Sequence, residues 1–586
     1  MKPTFEQGKI VINGRYFEEA LYDISNEKIA VLADGCGGLK SYRVNDFAEN
    51  FIATFLSLDL YVGGKPLSPY IPKKVEMIGR MQKITLQTSA GDVAITTFLS
   101  ESVNGVFFSI ESESEIELSL NCRGAKSDSK EEALFVEGEN FLLSSSHLGD
   151  WVKENDAYYL KGKGEIKLLL SFAAEKEEHL GAFSCFDRCF SAVLDEINSV
   201  KIPSSVRTEE EKAYFLSAYF TALENRKTVG KFRAFAAGIN YTNPLRTYYR
   251  DSYFTTLPLY GAHPDLLRDE LLTLAAGVGE DGSCASAVKS DFTLFWGDHF
   301  DSPSFFVIQV SDYVRMSGDE TLLAERVKGR AISEIVKKVL DRLIALADET
   351  GLLRKEGAYN KRDWADEVNR SGYVTYVEAL YYRALLSAST LFRESDPTLS
   401  VRYDKEATRV KKAINDLLWD ESKGYYVNYQ AKDRTEDNLS LDTIFLLLFG
   451  VADEARANRV LDNAERLLET ANNAEQGGGE FGVMCVYPPY AFPKGACHKS
   501  ARAYDYHNGA NWVYLTAMYA YAKARYGRDW RAPLLSTFRY MTSHGRFTPV
   551  EYFSPCRPTG SALQGWSAAA AFVWQWAEKD DFFELH

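Results

Sequence analysis

Carboxylates grouped around a tryptophan are the first residues of this sequence that could do chemistry. In KRDWADEVNR, residues 361–370, Asp363, Asp366 and Glu367 surround Trp364. Acidic residues also begin ordinary helices, because they favour the positive end of the helix dipole. The segment therefore has two interpretations: a helix start, or half of a pair of carboxylates used in general acid and base catalysis.

A second isolated acid lies in an aromatic loop far along the chain. Glu551 stands in RFTPVEYFSPCRPTGSALQGWSAAAAFVWQW, residues 546–576, ahead of an alanine-rich helix. Cleavage of a glycosidic bond requires one carboxyl group that protonates the departing oxygen and another that activates water or attacks the sugar. Glu551 is a candidate for the second role, and an exposed loop glutamate without a function is the alternative.

An adjacent arginine and aspartate could hold sugar hydroxyls. In NPLRTYYRDSYFTTLPLYG, residues 243–261, Arg250 and Asp251 lie among tyrosines, and the two can donate to and accept from neighbouring hydroxyl groups. A surface ion pair at a helix start is the competing interpretation. Asp301 precedes another predicted helix, and with Pro303 behind it this residue could simply cap that helix.

A polar loop before a later helix adds further candidates, because SARAYDYHNGANWVYL, residues 500–515, holds His507, Asn508 and Trp512. The sequence has no G-x-S-x-G elbow, no P-loop and no dinucleotide-binding fingerprint after a strand. A metal role for His299 is disfavoured, because no second histidine lies at ligand spacing and the chain has only eight. We therefore expect neither a metal nor another cofactor.

The overall composition restricts the partners. The chain has 586 residues and a formal net charge of −15, which disfavours nucleic acids and anionic membranes as partners. An aromatic content of 13% suits either stacking on sugar rings or a large aromatic core. The first residues lack an apolar signal segment, and no apolar run is long enough to span a membrane. The sequence therefore predicts a cytoplasmic protein with reduced cysteines.

A change in hydrophobic period predicts two domains. Residues 1–200 consist of short β-rich segments separated by turn residues, which predicts an antiparallel β-sandwich followed by a linker. From about residue 209 the period is helical, as in AISEIVKKVLDRLIALADETG, and about eleven helices are expected. Residues 201–586 are therefore predicted to form an array of helix hairpins that closes into a ring, with long functional loops gathered at one end.

Taken in order, five loop motifs resemble those of the (α/α)6-barrel glycoside hydrolases. This superfamily includes the amylo-α-1,6-glucosidases of glycogen debranching enzymes, the family 63 α-glucosidases and the trehalases. The similar motifs are YYRDSYFTTLPLYG, DSPSFFVIQVSDYVRMSGD, RDWADEVNRSGYVTYVEALYYRAL, YHNGANWVYL and VEYFSPCRPTGSALQGWSAAA. The resemblance covers residues 209–580 and implies a mainly α fold, an (α/α)6 toroid preceded by the β-sandwich.

The resemblance also implies a mechanism. It implies an inverting, exo-acting hydrolase, similar to an α-glucosidase, that releases a terminal sugar from an oligosaccharide or glycoside. Asp366, two residues after Trp364, matches the general acid of the family, Asp363 is the second choice, and Glu551 matches the general base. The residues implied to surround the sugar are Arg250, Asp251, Asp301, Asp363, Trp364, His507, Asn508 and Trp512.

Some features leave the substrate open. The segment GAYNKRDWADE differs from the Thr-Trp-Met-Asp of debranching enzymes and the Glu-Ser-Gly-Trp-Asp of trehalases, so the resemblance does not specify the sugar, anomer or linkage. A disaccharide phosphorylase on the same barrel and a carbohydrate-binding protein without activity are the alternatives. Phosphorolysis needs no general base, so Glu551 favours hydrolysis, and the presence of both candidate carboxylates argues against mere binding.

Overall fold

The computed structural model describes most of the chain. Contacts divide it into two compact units, residues 1–231 with 541–549 and residues 232–540 with 550–586. No helix among the described residues is long and apolar enough to cross a membrane. The described residues are 3–172 except 15–21, 34–41, 47–50, 56–57, 63–64, 67–71, 89–90, 102, 122–133, 137–140, 146–151 and 155–156, and 175–585 except 358–361, 492–494 and 556.

The first unit is built from antiparallel strands. One sheet has the order β1-β2-β9-β10-β11-β12-β16-β14-β13, with β7, β8 and β15 attached at its side, and another has the order β3-β4-β5-β6. The strands are β1 (Thr4–Glu6), β2 (Lys9–Asn13), β3 (Tyr22–Ser25), β4 (Ile29–Ala33), β5 (Tyr42–Asp46), β6 (Phe51–Phe55), β7 (Leu58–Val62), β8 (Lys65–Pro66), β9 (Pro72–Ile78), β10 (Met81–Thr88), β11 (Gly91–Phe98), β12 (Gly105–Asn121), β13 (Leu134–Val136), β14 (Phe141–Ser145), β15 (Val152–Glu154), β16 (Ala157–Phe172) and β17 (Arg226–Val229).

Two strands predicted for the first unit are parts of one longer strand. The sequence indicates separate strands over 105–112 and 115–120, but β12 is continuous and its pairing with β16 shifts register between Ser112 and Ile116. Parts of other predicted strands, such as 56–57 and 137–138, lie outside the described residues, as do Cys36, Cys122 and Cys556. The five described cysteines are free thiols.

Helices follow the strands of the first unit. The sequence predicts a short linker helix at 193–197, whereas two longer helices are present, α1 (Lys176–Ser184) and α2 (Phe186–Ser199). The extra length is stabilised by packing, because Phe186 of α2 joins the core formed by Phe98 and Phe107. The segment PSSVRTEEEK, residues 203–212, predicts a capped helix start. This prediction is confirmed in α3 (Glu209–Glu224), where Thr208 and Glu211 form a reciprocal capping box.

The second unit is mainly helical. Short strands of two to four residues pair its loops with one another, and the sequence period does not reveal them. The helices are α4 (Tyr249–Thr256), α5 (Pro264–Ala276), α6 (Ser302–Ser317), α7 (Ile332–Leu346), α8 (Thr375–Leu391), α9 (Pro397–Leu417), α10 (Phe445–Leu448), α11 (Glu454–Leu467), α12 (Val513–Arg525), α13 (Arg531–Ser543, which crosses the unit boundary) and α14 (Ala569–Trp576). The strands are β18 (Phe232–Phe235), β19 (Arg246–Tyr248), β20 (Ala287–Lys289), β21 (Leu294–Phe295), β22 (Arg326–Val327), β23 (Arg330–Ala331), β24 (Tyr373–Val374), β25 (Trp419–Asp420), β26 (Tyr425–Tyr426), β27 (Tyr429–Gln430), β28 (Thr435–Glu436), β29 (Leu439–Ser440), β30 (Val486–Tyr487), β31 (Asn511–Trp512), β32 (Tyr552–Ser554) and β33 (Arg557–Thr559).

Buried and amphipathic helices alternate along the second unit. Most residues of the even-numbered helices α4 to α14 are buried. The odd-numbered helices between them bury one face and expose the other. Aromatic side chains join the buried helices, since Phe254 of α4 contacts Phe305 of α6, Phe445 of α10 and Tyr514 of α12 at centroid distances of 5.7, 5.9 and 4.8 Å. The buried helices therefore converge on a shared aromatic core.

Candidate active site

Buried charges occupy the amino-terminal ends of α4 and α6. Arg250 donates through Nη1 to Oδ2 of Asp301 at 2.9 Å, and its Nε lies 3.7 Å from Oδ2 of Asp251. Asp301 is in the N-cap position of α6, but its side chain caps no N–H of the described helix. It pairs instead with Arg250 and with Nδ1 of His299, at 2.7 Å. Asp301 is fully buried and Arg250 is 12% exposed, so neither a surface ion pair nor a helix cap describes these side chains.

The carboxyl groups of Asp251 and Asp301 have opposite electrostatic environments. Burial raises the pKa of Asp251 to about 7, and the negative charge of Glu551 adds to the rise while Arg250 opposes it. Burial also disfavours the charged form of Asp301, but Arg250 and His299 outweigh burial and lower its pKa below the ordinary value. Asp301 is therefore a permanent counter-ion of Arg250, whereas Asp251 is free to exchange a proton or hydrogen bond with a ligand.

Asp363, which directly precedes Trp364 in the loop that also carries Asp366, forms ion pairs with two cations. Lys355 donates through Nζ to its Oδ2 at 2.5 Å, Arg370 donates through Nη2 to its Oδ1 at 2.7 Å, and all three side chains are fully buried. Burial alone would raise the pKa of Asp363, but Arg370 and Lys355 outweigh burial and hold it well below its usual range. A carboxylate that stays ionised at every working pH cannot donate a proton, so the second choice for the acid has the wrong environment.

The same arginine anchors the tryptophan of the loop. Arg370 donates through Nη1 to Oδ2 of Asp442, at 2.6 Å, and the indole Nε1 of Trp364 donates to that same oxygen at 2.6 Å. Trp364 is only 3% exposed and packs edge-on against Trp512 and His507. The loop that carries Asp366 is thus stabilised by buried ion pairs and by an indole hydrogen bond.

Asp366 has the environment that Asp363 lacks. Its side chain is 27% exposed and lies 3.7 Å from Nδ1 of His507. Its Oδ1 is buried and makes no hydrogen bond to any residue that the structure describes. Burial, supported by the negative charges of Glu367 and Asp363, raises the pKa of Asp366 to about 7 against the opposing charge of Arg250. A carboxyl that is still protonated near neutral pH is suited to general acid catalysis.

Glu551 is buried and held at both oxygens. Its Oε1 accepts a hydrogen bond of 2.7 Å from the hydroxyl of Tyr241, and its Oε2 accepts one of 3.0 Å from the backbone N–H of Ser561. Burial raises the pKa of Glu551 above its ordinary value, while these two hydrogen bonds and the charge of Lys499 moderate the rise. Gly560 permits this close approach, because a Cβ there would lie 2.7 Å from Oε2 of Glu551.

The two candidate carboxyls share one electrostatic environment, although 185 residues separate Asp366 from Glu551 in the sequence. The charges of Arg250 and Lys499 lower the pKa of both carboxyls. Burial raises the pKa of the Tyr506 hydroxyl, and the charges of both carboxyls raise it further. The ring of Tyr506 also lies 4.0 Å from that of His507 and 4.9 Å from that of Tyr552, centre to centre, so the fold brings the two sequence motifs to the same site.

The loop before α12 contributes a histidine with a free ring nitrogen. The backbone N–H of Glu367 donates to Nδ1 of His507 at 3.3 Å, which leaves the proton of a neutral ring on Nε2. Burial lowers the pKa of His507 well below its usual value, so the ring is neutral. Its Nε2 is buried and makes no hydrogen bond within the described chain. The ring is fixed in place by stacking on Trp512, with a centroid distance of 4.7 Å.

Two other residues predicted to surround the sugar have partners within the protein. The amide of Asn508 accepts from the N–H of Tyr490 and donates to the carbonyls of Tyr490 and Ser500. The indole Nε1 of Trp512 donates to the carbonyl of Tyr506 at 3.0 Å. Asn508 and Trp512 therefore hold the loop together in this structure, and contact of either residue with a sugar stays a prediction.

Several buried polar atoms around these residues make no hydrogen bond within the part of the chain that the structure describes. Gln564 donates through Nε2 to Oδ1 of Asp251 at 3.4 Å, and Trp566 stacks on Tyr514 with a centroid distance of 4.5 Å. A ligand rich in hydroxyl groups would satisfy a mixed set of donors and acceptors of this kind. The buried atoms without a hydrogen bond to any described residue are Nε of Arg250, Oδ2 of Asp251, Oδ1 of Asp366, Nε2 of His507, the hydroxyl of Tyr514, Oε1 of Gln564 and Nε1 of Trp566.

Tyr241, Lys499, Tyr506, Gln564 and Trp566 were not identified from the sequence. Three of them had a signal, because Gln564 and Trp566 lie inside the motif that ends the aromatic loop, and Tyr506 directly precedes His507. Tyr241 had none, since it is one of 34 tyrosines and its contact with Glu551 spans 310 residues.

A small group beside the acid loop could offer metal ligands. Ligand atoms of Glu367, Cys497 and His498 lie within 4.8 Å of one another. The thiol of Cys497 already contacts the carbonyl and the carboxylate of Glu367, at 3.4 and 3.5 Å. A thiol–carboxylate contact accounts for this geometry without an ion.

Comparisons with known proteins give a family match and two solved structures for comparison. Residues 298–572, which include both candidate catalytic carboxyls, match the family model GDE_C, described as amylo-alpha-1,6-glucosidase. A bacterial glucoamylase solved in complex with acarbose is 12% identical, with a TM-score of 0.61 over 98% of this chain and 95% of its own. A rhamnosidase from Klebsiella oxytoca with rhamnose bound is 16% identical, with a TM-score of 0.48 over 95% of this chain and 96% of its own. No curated protein matches the sequence.

The glucoamylase likeness concerns the fold, and the family match concerns the segment that carries the carboxyls. The two are independent and agree with the resemblance of the loop motifs. Residues 298–572 are thus similar to the amylo-alpha-1,6-glucosidase family, and the chain as a whole is similar in fold to the glucoamylase.

Proposed function

We propose that this protein is an inverting, exo-acting glycoside hydrolase of α-glucosidase type, which releases a terminal sugar from an oligosaccharide or glycoside. The observation that carries the proposal is the contrast within the acid loop. Asp363 is kept ionised by two buried cations, whereas the pKa of Asp366, three residues later, is raised to about 7 and its Oδ1 makes no hydrogen bond to a described residue. Only the second carboxyl has the proton that a departing oxygen needs.

In this proposal Asp366 protonates the glycosidic oxygen while Glu551 removes a proton from the attacking water. The bond to the leaving group breaks as the oxygen of water bonds to the anomeric carbon from the opposite face, which inverts the configuration. An inverting reaction requires a gap of about 6.5–9.5 Å between the two carboxyls to admit the water. The hydroxyls of the terminal sugar would be held by Arg250, Asp251 and Gln564, through the buried atoms that make no hydrogen bond to a described residue.

We propose the (α/α)6 toroid as the architecture that supports this site. The buried helices α4 to α14 would form the inner ring and the amphipathic helices the outer one. Site residues support this arrangement, since each lies in the first turn of a buried helix or in the segment that connects the preceding helix to it. They are Arg250 and Asp251 (α4), Asp301 (α6), Asp366 (before α8), Asp442 (before α10), His507 (before α12) and Glu551 (before α14).

A screen of aryl glycosides and disaccharides, with the first-formed anomer followed by NMR, tests the proposal. We expect hydrolysis of an α-glucoside to give the β-anomer first, because the reaction inverts. Release of a sugar 1-phosphate, dependent on added phosphate, would show a phosphorylase instead. Formation of the retained anomer would exclude the roles assigned to the two carboxyls.

A further inference from the structure

An exposed tryptophan lies on a hairpin of the second unit. Trp296 is 57% exposed and Leu294 on the same hairpin is 50% exposed, which is unusual for large apolar side chains. Trp296 directly follows β21, whose residues pair with β20.

The backbone of Trp296 is strained. Its φ is +47°, in the left-handed region that bulky residues rarely adopt. Strain of this kind persists where the surrounding structure holds it, and it is concentrated at functional sites. The indole is held by stacking on Phe295, with a centroid distance of 5.2 Å and an interplanar angle of 27°. One face of the indole is therefore covered by Phe295, and the exposure leaves the other face open.

A continuous set of contacts joins the stacked pair of Phe295 and Trp296 to Glu551, the proposed general base. The guanidinium of Arg246 lies 4.3 Å from the ring centre of Phe295 and 5.3 Å from that of Tyr241. Tyr241 in turn donates its hydroxyl hydrogen bond to Glu551. The hairpin is thus positioned by the same aromatic cluster that orients the catalytic carboxylate.

The segment that follows Trp296 is also connected to the loop that carries Asp366, the proposed general acid. Arg362, four residues before Asp366, donates through Nη1 to the carbonyl of Asp298 at 2.6 Å. Its own carbonyl accepts from the N–H of Phe300 at 2.9 Å. Trp296 therefore lies on a segment connected to both catalytic carboxyls, outside the buried set of polar atoms that would hold the terminal sugar.

We propose that Trp296 is a stacking platform for the leaving-group part of the substrate, so that the enzyme acts on oligosaccharides rather than on small glycosides. This inference rests on the proposed hydrolase function and adds the substrate class. An open indole face suits the C–H face of a sugar ring. The aromatic ring would bind the sugars beyond the cleaved bond, while the buried polar site binds the terminal one.

The test compares substrates with and without a leaving-group sugar. Trp296→Asn is the informative variant, because asparagine tolerates the left-handed backbone and the hairpin should keep its shape. The kcat/KM values for an oligosaccharide and for the glycosyl fluoride of the same terminal sugar are measured for each protein. Trp296→Phe restores an aromatic face, and Leu346→Ala, which removes a side chain that is 41% exposed on α7, is the matched control.

We expect Trp296→Asn to lower kcat/KM for the oligosaccharide by about tenfold, mainly through KM, and to leave the fluoride unchanged. Trp296→Phe should recover most of the loss, and Leu346→Ala should change neither substrate. Equal effects on both substrates, or none on the oligosaccharide, would overturn the inference.

A binding measurement separates this inference from the proposed function. If the wild-type chain hydrolyses no glycoside, the proposed function has failed, and oligosaccharide binding to the unmodified protein is measured by calorimetry. Binding weakened about tenfold by Trp296→Asn still supports the platform. Binding that is unaffected by the substitution, or absent from the wild type, overturns it.

Discussion

The hydroxyl of Tyr241 donates a hydrogen bond of 2.7 Å to Oε1 of Glu551, 310 residues further along the chain. The other oxygen of Glu551 accepts from the backbone N–H of Ser561. With one hydrogen bond at each oxygen, the carboxylate has a fixed orientation and its charged form is favoured. A general base needs both properties, because it must be ionised before it can take a proton from water.

Substitution of Tyr241 by Phe should weaken the general base. Loss of the hydrogen bond raises the pKa of Glu551 further, so a larger fraction is protonated at a given pH. The acidic limb of the pH–rate profile therefore moves to higher pH, and kcat falls by about 10- to 100-fold. Tyr373→Phe is the control, because it removes a similar hydrogen bond of 2.6 Å to Asp348 away from the site. An acidic limb that is the same in both variants would contradict the role of Tyr241.

The alkaline limb of the profile should report on Asp366. Its pKa is raised to about 7, and the acid must be protonated to work. Activity should therefore fall as the pH rises through about 7, and kcat/KM measured from pH 4 to 10 checks this. A profile that stays flat up to pH 9 would remove Asp366 from the mechanism.

Substitution of Lys499 by Met should move both limbs together. The positive charge of Lys499 lowers the pKa of Asp366 and of Glu551, so its removal raises both. The whole bell-shaped profile then shifts to higher pH. Since Lys499 is exposed, the shift should shrink as salt is added. A shift of only one limb would show that the two carboxyls do not share this charge.

Substitution of Asp363 by Asn should destabilise the fold. The change leaves Lys355 and Arg370 buried with one counter-charge fewer, which costs about 3–5 kcal/mol of unfolding free energy. Asp341→Asn is the control, since its ion pair with Arg402 is about half exposed on both sides and is worth under about 1 kcal/mol. Urea denaturation of the two variants compares them. Equal losses would show that the buried cluster does not stabilise the acid loop.

Substitution of Gly560 by Ala should displace the general base. The new Cβ would lie 2.6 Å from Cβ of Glu551, and the φ of Gly560 is +82°. Gly318→Ala adds a Cβ at a similar φ, +70°, with no atom within 4 Å, so it carries the backbone strain alone. We expect the first variant to lose activity by at least about tenfold relative to the second at equal folded fraction. Equal activities would show that Glu551 tolerates displacement.

Periodicity and spacing predicted much of the second unit. The apolar spacing of three and four residues predicted α7, which begins at Ile332 as expected but ends at Leu346, before the Gly351 that closes the predicted segment. In the first unit, the capped start of α3 is confirmed. The polar segment 500–515 predicted a following helix without fixing its first residue, and α12 begins at Val513, after a loop that is stabilised by Asn508 and not by helical hydrogen bonds. Local apolar spacing predicts that a helix is present, whereas the residues at which it begins and ends depend on tertiary contacts.

The site was only partly predictable for a related reason. The carboxyls stood out because they interrupt aromatic loops, but their environments come from residues distant in sequence. Lys355, Arg370 and Asp442 looked like ordinary charged residues, and only the folded chain places them around Asp363 and Trp364. The distinction between Asp363 and Asp366 therefore depends on burial and charge, which local sequence does not encode.

The most direct test of the central claim compares two variants on two substrates. A glycosyl fluoride has a leaving group that needs no proton, whereas a glycoside needs the general acid. We expect Asp366→Asn to lose hydrolysis of the glycoside by about 100-fold or more while it still hydrolyses the fluoride, and Glu551→Gln to lose both. If Glu551→Gln hydrolyses either substrate at the wild-type rate, or if Asp366→Asn retains the glycoside reaction, the assignment of acid and base is contradicted.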